Sequence, residues 1–167
     1  LFGLEPDALW ELADPYGLVR SRAFTGGGGS VRLPLNVSES GRTGTGRFVS
    51  SFAGAGVHHI AFGAPDVAAV VDRAAVEGAP LLDIPANYYE DLGARFGLAD
   101  AELEGLAQRH LLYDRDPDGG SFLHAYTHAF RDRFFFEFVE RRGGYNGFGA
   151  ANAGVRMAAQ RRLAPGG

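Results

Sequence analysis

An α+β fold of strand meanders flanked by short helices is expected of this 167-residue chain on three counts. Its first third alternates apolar with polar or small residues in three short runs. Its middle changes to a strand, a capped helix and a glycine stop. Its last third carries three more strand patterns, one of them the run Phe-Phe-Phe-Glu-Phe-Val at 134–139, with Glu137 at its centre.

Residues 9–12, 18–24 and 30–35 form the expected meander. Four consecutive glycines, Gly26 to Gly29, lie between two of these patterns and mark a hairpin tip. They lack the Gly-Lys-Ser/Thr ending of a phosphate loop. The polar, Gly-rich stretch 38–46 is expected to be a loop and a module boundary, dividing the chain into 1–46 and 47–167. Residues 57–62 then read as a strand, Asp66 as the cap of a helix running to about Glu77, Gly78 as its stop, and 80–84 as a second strand. Residues 88–96 and 99–108 read as two short helices. Strands follow at 110–114, 122–127 and 134–140, the first two joined by the turn Asp116-Pro117-Asp118-Gly119-Gly120, and 150–163 reads as a terminal helix. The order is β-β-β, then β-α-β, two helices and β-β-β. If the halves are copies, the first lacks its opening strand and helix. With the Met-less start Leu1-Phe2-Gly3-Leu4, this leads to the expectation of a fragment of a longer protein.

The net charge is −4 and charged residues make up 22%, so there is no basic stripe and nucleic acid is not an expected partner. All 16 basic residues are arginine, a bias of coding composition rather than of function. The absence of cysteine removes disulfides, thiolate metal sites and thiol nucleophiles together, so a metal must take His and carboxylate ligands. There is no apolar run of membrane-spanning length and no leader pattern; a soluble, cytoplasmic protein without a membrane partner is expected.

Strand alternation puts Phe135, Glu137 and Val139 on one face and Phe134, Phe136 and Phe138 on the other. So many Phe predict a strand buried on both faces, where a carboxylate needs a cation or an arginine to balance its charge. The same alternation sends His58 and His59 to opposite faces, so one of them can share a pocket with Glu137. The pattern does not say which. Two His and one carboxylate with open positions suit Fe(II), although Zn, Mn or Co also take such a set. His124, on the neighbouring strand, is the best internal candidate for a third ligand. Tyr88, Tyr89, Tyr126 and Phe148 either line an aromatic pocket or fill plain core. No Gly-x-Ser-x-Gly occurs, and Gly147-Phe148-Gly149-Ala150-Ala151-Asn152 has no following β-α-β unit to make it a dinucleotide fingerprint.

Leu33-Pro34-Leu35-Asn36, Gly56-Val57-His58-His59-Ile60-Ala61-Phe62, Pro85-Ala86-Asn87-Tyr88-Tyr89-Glu90-Asp91-Leu92, Phe135-Phe136-Glu137-Phe138-Val139-Glu140-Arg141 and Gly147-Phe148-Gly149-Ala150-Ala151-Asn152 occur in this order. Through them nearly the whole chain resembles the catalytic half of 4-hydroxyphenylpyruvate dioxygenases. The resemblance implies a vicinal-oxygen-chelate fold, paired βαβββ modules forming an open sheet around a metal site, with the first module truncated and the second ending in a gating helix. It implies His59 and Glu137 as metal ligands, a further His in an opening strand that this chain lacks, and no catalytic residue beyond the ligands. The implied metal is Fe(II), with Mg, Mn, Co and Zn as other divalent options. Asn36, Tyr126 and Phe148 match positions that contact substrate. His124-Ala125-Tyr126-Thr127 stands where the family has Gln-x-Phe-Thr, so His124 takes the place of a substrate-contacting amide.

Ile84-Pro85-Ala86-Asn87-Tyr88-Tyr89 and Phe122-Leu123-His124-Ala125-Tyr126-Thr127 are more similar to the dioxygenase-like C-terminal domain of two-domain bacterial 3-dehydroshikimate dehydratases, in which an N-terminal barrel performs the dehydration. The resemblance therefore implies Fe(II)-dependent oxygenation of an aromatic 2-oxo acid. The alternative it implies is a companion and oligomerisation domain of a dehydratase barrel in quinate and shikimate catabolism. The expected partners are a small aromatic acid, an N-terminal barrel and further copies of the chain in a homo-oligomer.

Overall fold

The computed structural model describes residues 3–131 and 133–163. The chain forms two compact units, Leu1–Val57 and His58–Gly167. In the first, β1 (Glu5–Asp14), β2 (Gly17–Gly26) and β3 (Val31–Val37) pair antiparallel in chain order. The β2–β3 connection is a 3-10 turn through Gly27–Gly29, all three at positive φ, a region closed to most side chains by the Cβ clash. This is the expected hairpin tip.

The stretch expected to be a loop runs instead into helix α1 (Gly44–Phe52), whose N-terminus is capped by Thr43 Oγ1 accepting from Gly46 N–H at 3.0 Å. Phe48 and Phe52, one turn apart, stack with centroids 4.3 Å apart. The low helix propensity of Gly44 and Gly46 concealed this helix, and the expected boundary after Gly46 falls inside it.

The second unit runs β4 (His59–Gly63), α2 (Val67–Val76), α3 (Ala86–Phe96), α4 (Asp100–Gln108), β5 (Leu112–Arg115), β6 (Ser121–Tyr126), β7 (Phe135–Arg142) and α5 (Ala153–Leu163). Its sheet has the order β4-β7-β6-β5, with β4 and β7 parallel and the other pairs antiparallel. This is the β-α-β-β-β order expected of a vicinal-oxygen-chelate module, with α3 and α4 inserted. Residues 80–84 do not form the expected strand. A single bridge, Leu81 to Thr127, with the bonds from Leu82 N–H to Tyr126 O and from His128 N–H to Pro80 O, each at 2.7 Å, pairs there. Pro80 and Pro85 bracket the segment, and each removes a backbone donor that a ladder would need.

Asp66 Oδ1 caps α2 by accepting from Ala69 N–H at 3.0 Å, and Glu140 Oε2 reaches from β7 to Val67 N–H at 2.9 Å. A buried carboxylate on the sheet thus meets the positive end of the helix laid over it. The core joins Val67 and Val71 of α2, Tyr88 and Leu92 of α3, and Leu106 of α4 to Leu112, Leu123 and Ala125 of the sheet. The turn between β5 and β6 closes as expected, with Gly120 N–H donating to Asp116 Oδ1 at 2.7 Å. Among the described residues no helix is long and apolar enough to cross a membrane.

The Phe-rich strand is not buried on both faces. Phe135, Glu137 and Val139 are buried, whereas Phe136 is 39% exposed and Phe138 only partly covered. Helices α2 to α4 cover the sheet where β5 and β6 lie, and Ile60 and Phe62 of β4 are exposed with Phe136. This asymmetry sets an expected difference in stability. Leu112→Ala, at a position with no exposure, should cost about 2–5 kcal/mol in urea unfolding. Phe136→Ala should cost well under half of that; equal costs would place Phe136 in the core.

Candidate metal centre

Glu137 is delivered by β7 opposite Tyr126 of β6 and Ala61 of β4. The same registers set His59 opposite Phe135 and His124 opposite Val139, so alternation brings His59, His124, Tyr126 and Glu137 to one face of the sheet. Glu137 is 6% exposed. Its Oε1 lies 2.8 Å from His124 Nδ1 and its Oε2 lies 3.4 Å from His59 Nε2. The Tyr126 hydroxyl sits 3.1 Å from His124 Nδ1. The apolar floor is Phe135, on which the His59 ring stacks at 4.9 Å and 3°.

The hydrogen-bond network fixes which way His124 faces. Asn152 Nδ2 lies 3.0 Å from the backbone carbonyl of Tyr113, an acceptor only, so the amide must present its NH2 there. The same NH2 lies 3.0 Å from His124 Nε2, which therefore accepts. The ring proton is on Nδ1 and is donated to Glu137. Asn152 Oδ1 in turn meets the Tyr88 hydroxyl at 3.1 Å, and that hydroxyl accepts from Tyr113 N–H at 2.8 Å. Gly149, at φ 61°, lets the backbone pass close by: a Cβ there would lie 2.8 Å from Phe122 Cε1 and 3.1 Å from His124 Cε1.

Burial works to raise the Glu137 pKa, but hydrogen bonds with His124 and His59 outweigh it and hold the carboxyl down at about 2. Burial, followed by the Glu137 charge, pushes the Tyr126 hydroxyl up, so it stays protonated. Burial, followed by the charges of Arg156 and His59, lowers His58 to about 3. Glu137 is then anionic and His58 uncharged at neutral pH.

The two histidines do not point to opposite faces as alternation predicted. His58 precedes β4 and is not bound to its pleat; its Nδ1 lies 3.3 Å from His59 Nδ1, and its ring meets the edge of Phe135 at 4.8 Å.

The donor chemistry fits a divalent cation at His59 and Glu137. Two ligand atoms each about 2.0–2.2 Å from one ion stand roughly 3–3.5 Å apart, and His59 Nε2 and Glu137 Oε2 are 3.4 Å apart. Among the described residues, no group of three or more His, Asp or Glu is arranged to hold a metal. His124 does not complete a trio because both of its ring nitrogens are engaged. With 0% exposure it also offers no surface for the substrate contact expected of it. It holds the Glu137 carboxylate from behind through Nδ1.

Tyr126 is buried in the same cluster and Phe148 is half-buried between β7 and α5. Asn36 is an exposed residue of β3 in the first unit, opposite Ser21 of β2. Sequence reasoning gave no individual role to Asn152, Tyr88 or Phe135. Asn152 fell inside the expected helix 150–163, and nothing local signals its contact with His124.

The sequence profile of the Glyoxalase/Bleomycin resistance protein/Dioxygenase superfamily matches residues 1–122. A 3-dehydroshikimate dehydratase of Pseudomonas putida is 50% identical over 166 residues, which is 99% of this chain and 26% of the relative. A 4-hydroxyphenylpyruvate dioxygenase of Pseudomonas aeruginosa is 33% identical over 133 residues, covering 79% of this chain and 37% of the relative. Among solved structures, a xylose isomerase-like TIM barrel/4-hydroxyphenylpyruvate dioxygenase fusion protein superposes with a TM-score of 0.78 at 48% identity, over 95% of this chain and 25% of that one. The chain thus spans about a quarter of the length of the dehydratase it matches.

Removing the support of Glu137 should show in metal affinity. His124→Ala should weaken binding of Co(II) about 10- to 100-fold in a titration while the fold persists; unchanged affinity would remove His124 from the site. The pH dependence follows from the depressed carboxyl. Its contribution to stability is complete above the ordinary value of 4.5 and is lost as pH falls towards about 2. The difference in unfolding free energy between the wild type and Glu137→Gln should therefore shrink across that window, and a constant difference would show that the carboxylate is not stabilised by its partners.

Proposed function

The chain belongs to the Glyoxalase/Bleomycin resistance protein/Dioxygenase superfamily, and from that membership we propose that it is the dioxygenase-like domain of a 3-dehydroshikimate dehydratase, built around a divalent metal that acts on a small aromatic 2-oxo acid. The observation that carries this reading is the pair of partly exposed His59 and buried Glu137, with donor atoms 3.4 Å apart and a carboxylate kept anionic by its neighbours. The 50% identity to the Pseudomonas putida dehydratase supports the dehydratase context. The 33% identity to a 4-hydroxyphenylpyruvate dioxygenase supports the chemistry of the site.

Fe(II) is the metal that a His and carboxylate set with open positions suits best, and when bound it supplies the Lewis-acid and redox capacity for oxygen chemistry. His59 and Glu137 would hold it. His124, locked by Asn152, keeps its proton on Nδ1 and fixes the plane of the Glu137 carboxylate. Phe135 and Tyr126 keep water from that carboxylate, and Phe148 is assigned to the substrate.

A second reading, a companion and oligomerisation domain for a dehydratase barrel, is favoured by the exposed apolar side chains Ile60, Phe62 and Phe136. Metal content and oxygen uptake separate the two. Fe(II)-loaded protein given a panel of 2-oxo acids should consume O2 in step with CO2 release, and Glu137→Gln should abolish both uptake and stoichiometric metal. A folded protein that binds one metal per chain and consumes no O2 would establish the companion role. A variant that keeps its metal would overturn the ligand assignment.

A further inference from the structure

Arg156 projects from α5 onto the same cluster. Its guanidinium carbon lies 5.3 Å from the centroid of Phe135 and 5.6 Å from that of Tyr126, within range of a cation–π contact with each. Phe135 is the ring on which His59 stacks, so the cation belongs to the same corner of the sheet. Among the described residues Arg156 has no carboxylate partner. Glu137 is taken up by His124 and His59.

What holds Arg156 is Gln160, one turn further along α5, whose Oε1 accepts from Arg156 Nη1 at 2.7 Å. That bond fixes the amide, because arginine only donates. Gln160 Nε2 is left buried with no partner among the described residues. The corner therefore offers donors in excess of its acceptors: a half-buried guanidinium and an unanswered amide N–H. An arginine held near aromatic rings and unpaired by carboxylate presents its fork of N–H groups to a planar oxyacid.

We propose that Arg156 is the anion receptor of this site, pairing with a carboxylate of a small organic acid. The assignment deepens the functional reading above and rests on it for the aromatic 2-oxo acid as ligand. The recognition itself needs no metal. Arg156 determines which ligand is taken; it is separate from the donor pair, and its loss leaves His59 and Glu137 in place.

Phenylpyruvate and its neutral methyl ester are the probes, titrated calorimetrically into the full chain with and without Co(II), alongside Arg156→Leu and Arg156→Lys. The acid should bind the wild type at least about tenfold more tightly than the ester, and Arg156→Leu should remove that preference while keeping the metal stoichiometry and the unfolding transition. Arg156→Lys should restore part of it, since a charge without the planar fork still attracts the acid. Acid binding that depends on Arg156 but occurs without any metal uptake would uphold the receptor and overturn the metal reading. Equal affinity of Arg156→Leu and wild type for the acid, or no acid binding by the wild type, would overturn the receptor, as would loss of the acid preference only in variants that unfold.

Discussion

The second unit is organised around one buried negative charge. Moving a carboxylate out of water costs several kcal/mol unless charge and hydrogen bonds replace the water. Glu137 lies on a strand whose same-face neighbours, Phe135 and Val139, offer neither. The replacement comes from two other strands: His124 on β6 and His59 on β4. The antiparallel register of β6 and the parallel register of β4 against β7 have to be kept, because a slip of one residue would turn these side chains to the opposite face.

Behind this first ring of partners stands a second one that reaches the helices. Tyr88 of α3, the backbone of Tyr113 on β5, and Asn152 just ahead of α5 form a closed set of hydrogen bonds that ends on His124. Each member is satisfied only while the others are in place, and such a network is costly when half-formed. The position of α5 is thereby tied to the orientation of the Glu137 carboxylate. The rigidity this gives is what a two-donor metal site requires, since small errors in ligand placement cost affinity.

How much of this could be read from residues alone depended on whether the cause was local. The hairpin tip at Gly27–Gly29 and the turn closed by Asp116 were legible, because each is decided by turn residues and backbone freedom within a few positions. Glu137 was legible as an anomaly, a charge in a run of Phe. The contact of Asn152 with His124 spans 28 residues, and nothing in either segment announces it. The one-sided burial of β7 was missed because the covering of a sheet is set by where α2 to α4 land, and residues 80–84 were read as a strand because their apolar run outweighed the two flanking prolines. His58 and His59 were separated by an alternation that begins only one residue later.

The central claim is that Glu137 and His59 are arranged as a pair for one cation rather than as an ion pair complete in itself. Anomalous diffraction at the cobalt edge, from crystals grown with Co(II), tests this directly. The account predicts a single peak about 2.0–2.2 Å from both His59 Nε2 and Glu137 Oε2, with His124 still bonded to the far carboxylate oxygen. A peak bonded to His124, or no peak while both imidazoles stay on the carboxylate, would contradict it.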